Sequence, residues 1–218
     1  MRQANRTRAV SLTLLVMGFV LACTGSEDRA PIAEDRAITV PAFRGTTIEL
    51  AAILQKAGVP VSIIQALDDP RFELNEQRIE VRRLLEKVEI LSGVYRLESI
   101  DGRMVLYPKA LPFDREIRNV DFVGRRRFTA AAEYVRLLKK AIPELPQIVG
   151  PVETRAGPEG RIPFYDDPVT LEPNARVIDH LVQLLGTDKN LYFLIKEAPG
   201  LKRPAGAMLI YFGSVERP

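Results

Sequence analysis

The apolar positions of the chain alternate between helical and strand-like spacing. Those at residues 50–57 recur at i, i+3, i+4 and i+7, which predicts an amphipathic helix. Thr46 and Glu49 stand at the N-cap and N3 positions before it, the pattern of a capping box. Similar stripes at residues 81–91 and 128–142 predict two more helices.

Short apolar runs between these stripes predict strands. They lie at residues 38–43, 59–64, 71–75, 94–100, 103–107, 147–152 and 207–212. Asp101-Gly102 separates two of them, and Asp-Gly between strand-like runs is typical of a type I′ hairpin turn. The order β-α-β-β-α-β-β follows for the first part of the chain, so we predict an α+β fold.

The same pattern recurs further along the chain. An ungapped alignment places Phe72 on Val169 and Val81 on Ile178, and it matches the apolar positions of the helices and strands that follow. Such recurrence indicates a duplication. We therefore predict two tandem small βαββαββ-like domains, at 38–112 and 113–218, the second with a Pro/Gly-rich loop at 143–168.

The N-terminus has the pattern of an export signal. Three arginines precede an uncharged, mostly apolar stretch at residues 9–21, and Cys23, the only cysteine, follows. A basic segment, a short apolar segment and a small residue are typical of a signal peptide, and the apolar stretch is short for a membrane-spanning helix.

The run Val20-Leu21-Ala22-Cys23 resembles the lipobox of bacterial lipoproteins, although Leu21 is bulkier than usual there. The resemblance implies a cleaved signal peptide at 1–22, acylation of Cys23 and membrane attachment through that lipid. With the polar residues that follow, 23–37 would be a flexible tether. Thr24, rather than Asp, after the cysteine implies the outer membrane, facing the periplasm. An ordinary signal peptide or an uncleaved anchor are the alternatives.

The charge balance argues against a nucleic-acid partner. The chain has 31 basic and 28 acidic residues. Cleavage before Cys23 would remove Arg2, Arg6 and Arg8, and the remaining chain would carry no net charge to attract a polyanion.

The sequence predicts no catalytic residue, no cofactor and no metal site. The single histidine, His180, lies off the apolar stripe that begins at Ile178, so we expect it at the surface. One histidine and one cysteine exclude a metal site rich in nitrogen or thiolate ligands. The runs Asp68-Asp69-Pro70 and Asp166-Asp167-Pro168 predict turns. A carboxylate pair for hydrolysis or calcium binding is the alternative.

One basic cluster is a candidate binding site. Arg125, Arg126 and Arg127 open the third predicted helix, where cations oppose the helix dipole. An anionic lipid head group, a phosphate or an acidic partner would compensate them. A solvated turn is the alternative.

Each copy is similar to the small domain at the periplasmic N-termini of secretins and of signal-transducing TonB-dependent receptors. The stretches ITVPAF, VSII, FELN and YRLESIDGRMVLYP carry the resemblance, with the helices at 50–57 and 81–91. It implies protein–protein contact in an envelope complex rather than catalysis.

We therefore expect a lipid-anchored adaptor or scaffold in a periplasmic secretion or transport assembly, not an enzyme. It would bind through an exposed strand edge and the loop at 143–168. A lipoprotein that holds a small molecule, glycan or lipid between its two modules is the alternative, and an enzyme is a third.

Overall fold

The computed structural model describes residues 35–151, 165–197 and 207–215, which belong to one compact unit. The predicted signal peptide, Cys23 and nearly all of the tether lie outside these residues, as does the part of the predicted loop at 152–164. Among the described helices, none is long and apolar enough to cross a membrane.

The first half of the chain, residues 35–112, contains two helices and seven strands. They are β1 Ala37–Val40, β2 Phe43–Gly45, α1 Thr47–Lys56, β3 Ser62–Ile64, β4 Phe72–Leu74, β5 Gln77–Glu80, α2 Val81–Ser92, β6 Tyr95–Ile100 and β7 Arg103–Pro108.

The second half, residues 113–215, repeats this order within its described residues. Its elements are β8 Glu116–Ile117, β9 Phe122–Arg126, α3 Arg127–Ala141, β10 Ile148–Val149, β11 Pro168–Leu171, β12 Ala175–Arg176, α4 Val177–Gln183, β13 Leu191–Glu197 and β14 Met208–Ser214. The α+β class is confirmed.

Local sequence signals act where they were predicted. The Thr46 hydroxyl accepts from the Glu49 amide, and the Thr46 amide donates to the Glu49 carboxylate, so the capping box is formed. Gly93 ends α2 in the left-handed conformation, with φ 68°. Asp101 and Gly102 both have positive φ in the β6–β7 turn, as a type I′ hairpin requires.

Each half contains more strands than its apolar pattern predicted. The run at 38–43 is two strands, because β1 pairs with β5 whereas β2 pairs with β4. The strand β5 was missed because its side chains, Gln-Arg-Ile-Glu, show no apolar alternation and its contribution is backbone pairing. Within the predicted loop, β10 is shorter than the strand expected at 147–152.

Strand pairing is the same in both halves. The antiparallel pairs β1–β5, β2–β4 and β6–β7 recur as β8–β12, β9–β11 and β13–β14. The parallel pair β3–β7 recurs as β10–β14. The recurrence of the apolar pattern is thus accompanied by a recurrence of strand pairing, within one compact unit.

One six-stranded sheet joins the halves, in the order β10-β14-β13-β3-β7-β6. Successive residues of a strand face opposite sides. Ile63 faces the core of α1 and α2, whereas Ile64 and Val105 face the core of α3 and α4. Each half therefore places its helices on a different side of the shared sheet.

Candidate functional site

The three arginines predicted as a binding cluster point to different places. Arg125 pairs with Glu133 and stacks over the ring of Phe122. Arg126 is exposed and lies 3.8 Å from Asp166. Arg127, the first residue of α3, is only 2% exposed. The arginines do not form one basic surface, and Arg127 belongs to the interior.

Arg127 caps the C-terminal end of another helix. Its Nε donates to the Leu184 carbonyl at 2.8 Å and Nη2 to the Leu185 carbonyl at 3.2 Å, just after α4. Nη1 lies 3.4 Å from the Asp167 carboxylate. A cation at a helix C-terminus is favourable, which offsets its unfavourable place at the start of α3.

Arg103 approaches the same segment from the first half of the chain. Its two terminal nitrogens donate to the carbonyls of Gly186, Asp188 and Leu191 at 2.8–3.0 Å. Burial lowers the pKa of Arg103 and of Arg127, but a guanidinium stays charged at neutral pH. Two buried cations therefore hold the backbone between α4 and β13.

A pocket of about 490 Å³ opens beside these arginines, between the two halves. Asp101 and Arg103 of the first half line it, with Asp167, Asp188 and other residues from β11 to the end of α4. The lining carries both signs of charge. Such a pocket suits a polar ligand rather than a lipid chain, because buried charges favour groups that hydrogen-bond to them.

The corresponding place in the first half is a hydrogen-bond network of two hydroxyls and one carboxylate, with no buried cation among the described residues that form it. Thr47 begins α1 as Arg127 begins α3, and its hydroxyl donates to the Asp69 carboxylate at 2.8 Å. The Tyr95 hydroxyl donates to the same carboxylate and accepts from the Ala66 amide. Asp69 therefore does more than form the turn predicted for Asp-Asp-Pro, because it binds side chains of α1 and β6.

A partly exposed charge cluster is a second contact between the halves. Arg176, at the start of α4, donates to Glu98 of β6 and to Asp179, both at 2.6 Å. Hydrogen bonding from Arg176 is the main cause that lowers the pKa of Glu98. The Tyr107 hydroxyl donates to Glu98 and Asp114, and burial is the main cause that raises its pKa.

His180 is buried, not at the surface as predicted. The ungapped alignment holds as far as Leu171, but the chain from there to the next helix is one residue shorter than in the first half. Helix α4 therefore starts at Val177, and His180 takes the place of buried Leu84. One residue turns a helix by about 100°, enough to reverse the predicted exposure.

Both ring nitrogens of His180 have partners. Nε2 lies 2.7 Å from the Glu172 carbonyl, to which it donates because a carbonyl only accepts. Nδ1 then accepts from the Tyr134 hydroxyl at 3.1 Å. Burial lowers the pKa of His180, which favours this neutral form. Neither nitrogen contacts Asp166 or Asp167.

The outer edge of β6 is open in the described part of the chain. The sheet ends there, with β7 on one side of β6 and no strand on the other. Three exposed apolar residues immediately precede β6, at the end of α2 and in the turn between them: Ile90 (79% exposed), Leu91 (50%) and Val94 (37%). We call them the α2 apolar patch. An open edge beside exposed apolar side chains is a typical docking surface.

The described residues contain no group of three or more metal-ligating side chains. No protein-family model, curated protein or solved structure matches the chain significantly. Inference about function therefore depends on the geometry of this chain.

The sequence pointed to Arg127 but not to Arg103 or Arg176, which lie in strands β7 and β12. Their roles between the halves are not visible locally, because the carbonyls that Arg103 bonds and the Glu98 carboxylate that Arg176 bonds are more than 70 residues away. Ile90, an apolar residue off the predicted stripe of α2, is a sequence signal for the α2 apolar patch, whereas Leu91 was predicted as part of that stripe and is 50% exposed.

Proposed function

We propose that this protein is a lipid-anchored adaptor of the bacterial envelope, attached through Cys23 to the outer membrane and facing the periplasm. It docks protein partners of a secretion or transport assembly on its sheet edge. The observation that carries the proposal is the β6 edge, which no strand among the described residues covers, next to the α2 apolar patch.

Backbone geometry supports strand addition at this edge. The Lys109 amide donates to the Val94 carbonyl, so the alternate residue, Tyr95, directs its backbone groups away from β7. Tyr95 and Pro108 form a non-hydrogen-bonded pair, so the backbone of Tyr95 has no bond to β7. An added strand would satisfy these outward groups.

The loop expected to share in binding leads to the other end of the same sheet. Strand β10, Ile148–Val149, lies within 143–168 and forms the terminal strand opposite β6. The β6 edge proposed for docking and a strand of that loop are therefore the two ends of one sheet.

Substitution at the α2 apolar patch tests the docking proposal. Ile90→Glu places a charge beside the β6 edge, and we expect loss of the partners that co-purify from detergent-solubilised membranes. Val123→Glu is the matched control, since Val123 is 72% exposed in β9. Equal recovery of partners with both variants, or none with the unmodified chain, contradicts the proposal.

Substitution of Cys23 tests the anchor. Cys23→Ser removes the only thiol that could carry a lipid, so the protein is expected in the soluble periplasmic fraction. Retention of this variant in the membrane fraction would contradict lipid attachment at Cys23.

A second function, ligand binding between the halves, is favoured by the polar pocket beside Arg103 and Arg127. Native mass spectrometry of the purified full chain would show a bound small molecule. Thr187→Tyr narrows the pocket from its exposed rim without changing either arginine, and should abolish that added mass. Arg118→Tyr, at an exposed site outside the pocket, is the control.

A further inference from the structure

The two halves are related by a half turn about an axis that runs across the strands of the shared sheet. In the order β3-β7-β6, the first two strands are parallel and the third is reversed. The order β10-β14-β13 repeats this with every strand inverted, because β13 is parallel to β3. The half turn also explains why the helices of each half cover opposite faces.

The junction between the halves joins unlike strands. In the six-stranded sheet, it pairs β13, the innermost strand of the second half, with β3, the innermost strand of the first half. Leu194 lies beside Ile63 and Ile195 beside Ile64, and the Gln65 amide donates to the Ile195 carbonyl at 2.8 Å. The contact is heterologous, since it uses two different surfaces of the repeated unit.

The same two surfaces recur, unpaired, at the ends of the sheet. Strand β6 corresponds to β13 and β10 corresponds to β3, and within the described residues each has a strand on one side only. The two end strands run in the same direction. A second copy in the same orientation, displaced along the sheet, therefore brings its β10 alongside β6 in parallel.

We propose that copies of this chain associate head to tail, with β10 of one copy added in parallel to β6 of the next. The proposal rests on the proposed docking function of the β6 edge and names its partner as a second copy. The internal β13–β3 junction is the template for the contact.

The template also gives the register. Residues paired across neighbouring strands form a row. In the first half one row consists of Ile63, Leu106 and Leu97, and the equivalent row of the second half consists of Ile148, Met208 and Glu197. At the internal junction Ile63 lies beside Leu194, which is three residues before Glu197. Leu97 occupies the place of Glu197 in the first half, so the residue three before it, Val94, is expected beside Ile148 of the second copy.

This register uses the outward backbone groups of β6. Gly150 takes the place of Gln65, so its amide reaches the Tyr95 carbonyl, which points away from β7. Gln147 takes the place of Ser62, whose hydroxyl accepts from a β13 amide at the internal junction. The residue in the place of Phe193, which donates that amide, is Gly93, whose own amide already donates to the Glu89 carbonyl. The Gly150–Tyr95 bond is therefore the polar feature that the end strands share with the template.

The exposed apolar residues fit the same arrangement. At the internal junction α4 shares a core with Ile64 and Val105, which belong to the other half. The half turn places the end of α2 over the second copy in the equivalent way. Its apolar patch would then cover the sheet face that carries half-exposed Tyr192 and Tyr211.

Cysteine cross-linking tests this contact in the membranes that hold the full chain. Val94→Cys and Gln147→Cys, in separately tagged copies expressed together, are treated with a short bismaleimide whose reach exceeds the strand spacing of about 4.8 Å. We expect a cross-linked pair that carries both tags. A double variant is expected to give a ladder of oligomers, because each copy then has both ends reactive.

Controls separate this contact from others. The unmodified chain reports any reaction through Cys23. The combination of Val94→Cys with Glu76→Cys, an exposed bend residue outside both end strands, is expected to give no cross-link.

Three outcomes overturn the proposal. A pair formed by Val94→Cys alone would show that β6 meets β6. A cross-link from Val94→Cys to a different protein, with none to Gln147→Cys, leaves the adaptor function standing and rejects self-association. No cross-link from β6 to any protein rejects both.

Discussion

The two halves share a backbone plan but fill the same position with different chemistry. At the start of its first helix, the first half has Thr47 bonded to Asp69, whereas the second has Arg127 beside Asp167. The difference follows from the helices that come later. The first half's α2 runs twelve residues and closes on Gly93, whereas α4 has seven and leads into irregular backbone.

Helix α4 ends early, so backbone carbonyls after it have no helical N–H donors and need others. The backbone from Leu184 to Leu191 is bonded by two buried guanidiniums, one from each half. Gly186 adopts φ 64° there, and a side chain at this position would lie 3.1 Å from the Arg127 guanidinium. The two halves therefore share their apolar positions and strand pairing. Their buried polar groups differ where one half locally departs from that shared pattern.

The largest test of this contrast is Arg127→Met. It leaves the carbonyls of Leu184 and Leu185 without their donor, and we expect a loss of about 3 kcal/mol in the free energy of unfolding. Thr47→Val, at the equivalent place, should cost about 1–2 kcal/mol. Urea denaturation of both variants measures the difference, and equal losses would contradict it. Arg126→Met, at an exposed side chain, is the control.

The pH dependence of stability tests the effect of having His180 in α4 at the position where α2 has Leu84. Burial holds the pKa of His180 below that of the unfolded chain, so the unfolded state binds the proton first. Its stabilising contribution is present above about pH 6.5 and declines as the pH falls. We expect a lower urea midpoint at pH 5.5 than at pH 7.5.

His180→Leu provides the comparison, because it restores the residue type found at Leu84. In this variant the urea midpoint should no longer fall between pH 7.5 and pH 5.5, whatever its absolute stability. The carboxyl of Glu98 does not interfere, since its pKa is lowered from an already acidic value. An unchanged decline in His180→Leu would assign the effect to other groups.

The smallest expected effect concerns the charge cluster between the halves. Glu98→Gln weakens the bonds from Arg176, and we expect a loss of about 0.5–1 kcal/mol because these groups are partly exposed. Glu73→Gln, in the fully exposed pair with Arg44, is the control and should change the urea midpoint little. A loss no larger than that of the control would show that the cluster does not fasten the halves.

The sequence predicted what short-range rules decide. The capping box at Thr46, the left-handed Gly93 and the Asp101-Gly102 hairpin depend on neighbouring residues, and all are present. The repeated apolar positions predicted the recurring elements. Strands without apolar alternation, such as β5, were missed because only their backbone pairing defines them.

The candidate sites were harder to predict because their partners are distant in the chain. The burial of Arg127 depends on carbonyls that follow α4, and the position of His180 depends on one missing residue before that helix. The open edge of β6 is a property of strand order, which no local pattern specifies. The predicted apolar stripe of α2 included Leu91, but the buried positions end at Val88 and Leu91 is exposed.

Amide hydrogen exchange of β6 is the most direct measurement of the central claim, that this edge is a docking surface. The outward amides of Tyr95 and Leu97 should exchange slowly in native membranes and faster after dilution into detergent, while the β3 amides stay protected in both. Equally fast exchange of Tyr95 and Leu97 under the two conditions would contradict the account, because an occupied edge protects its amides.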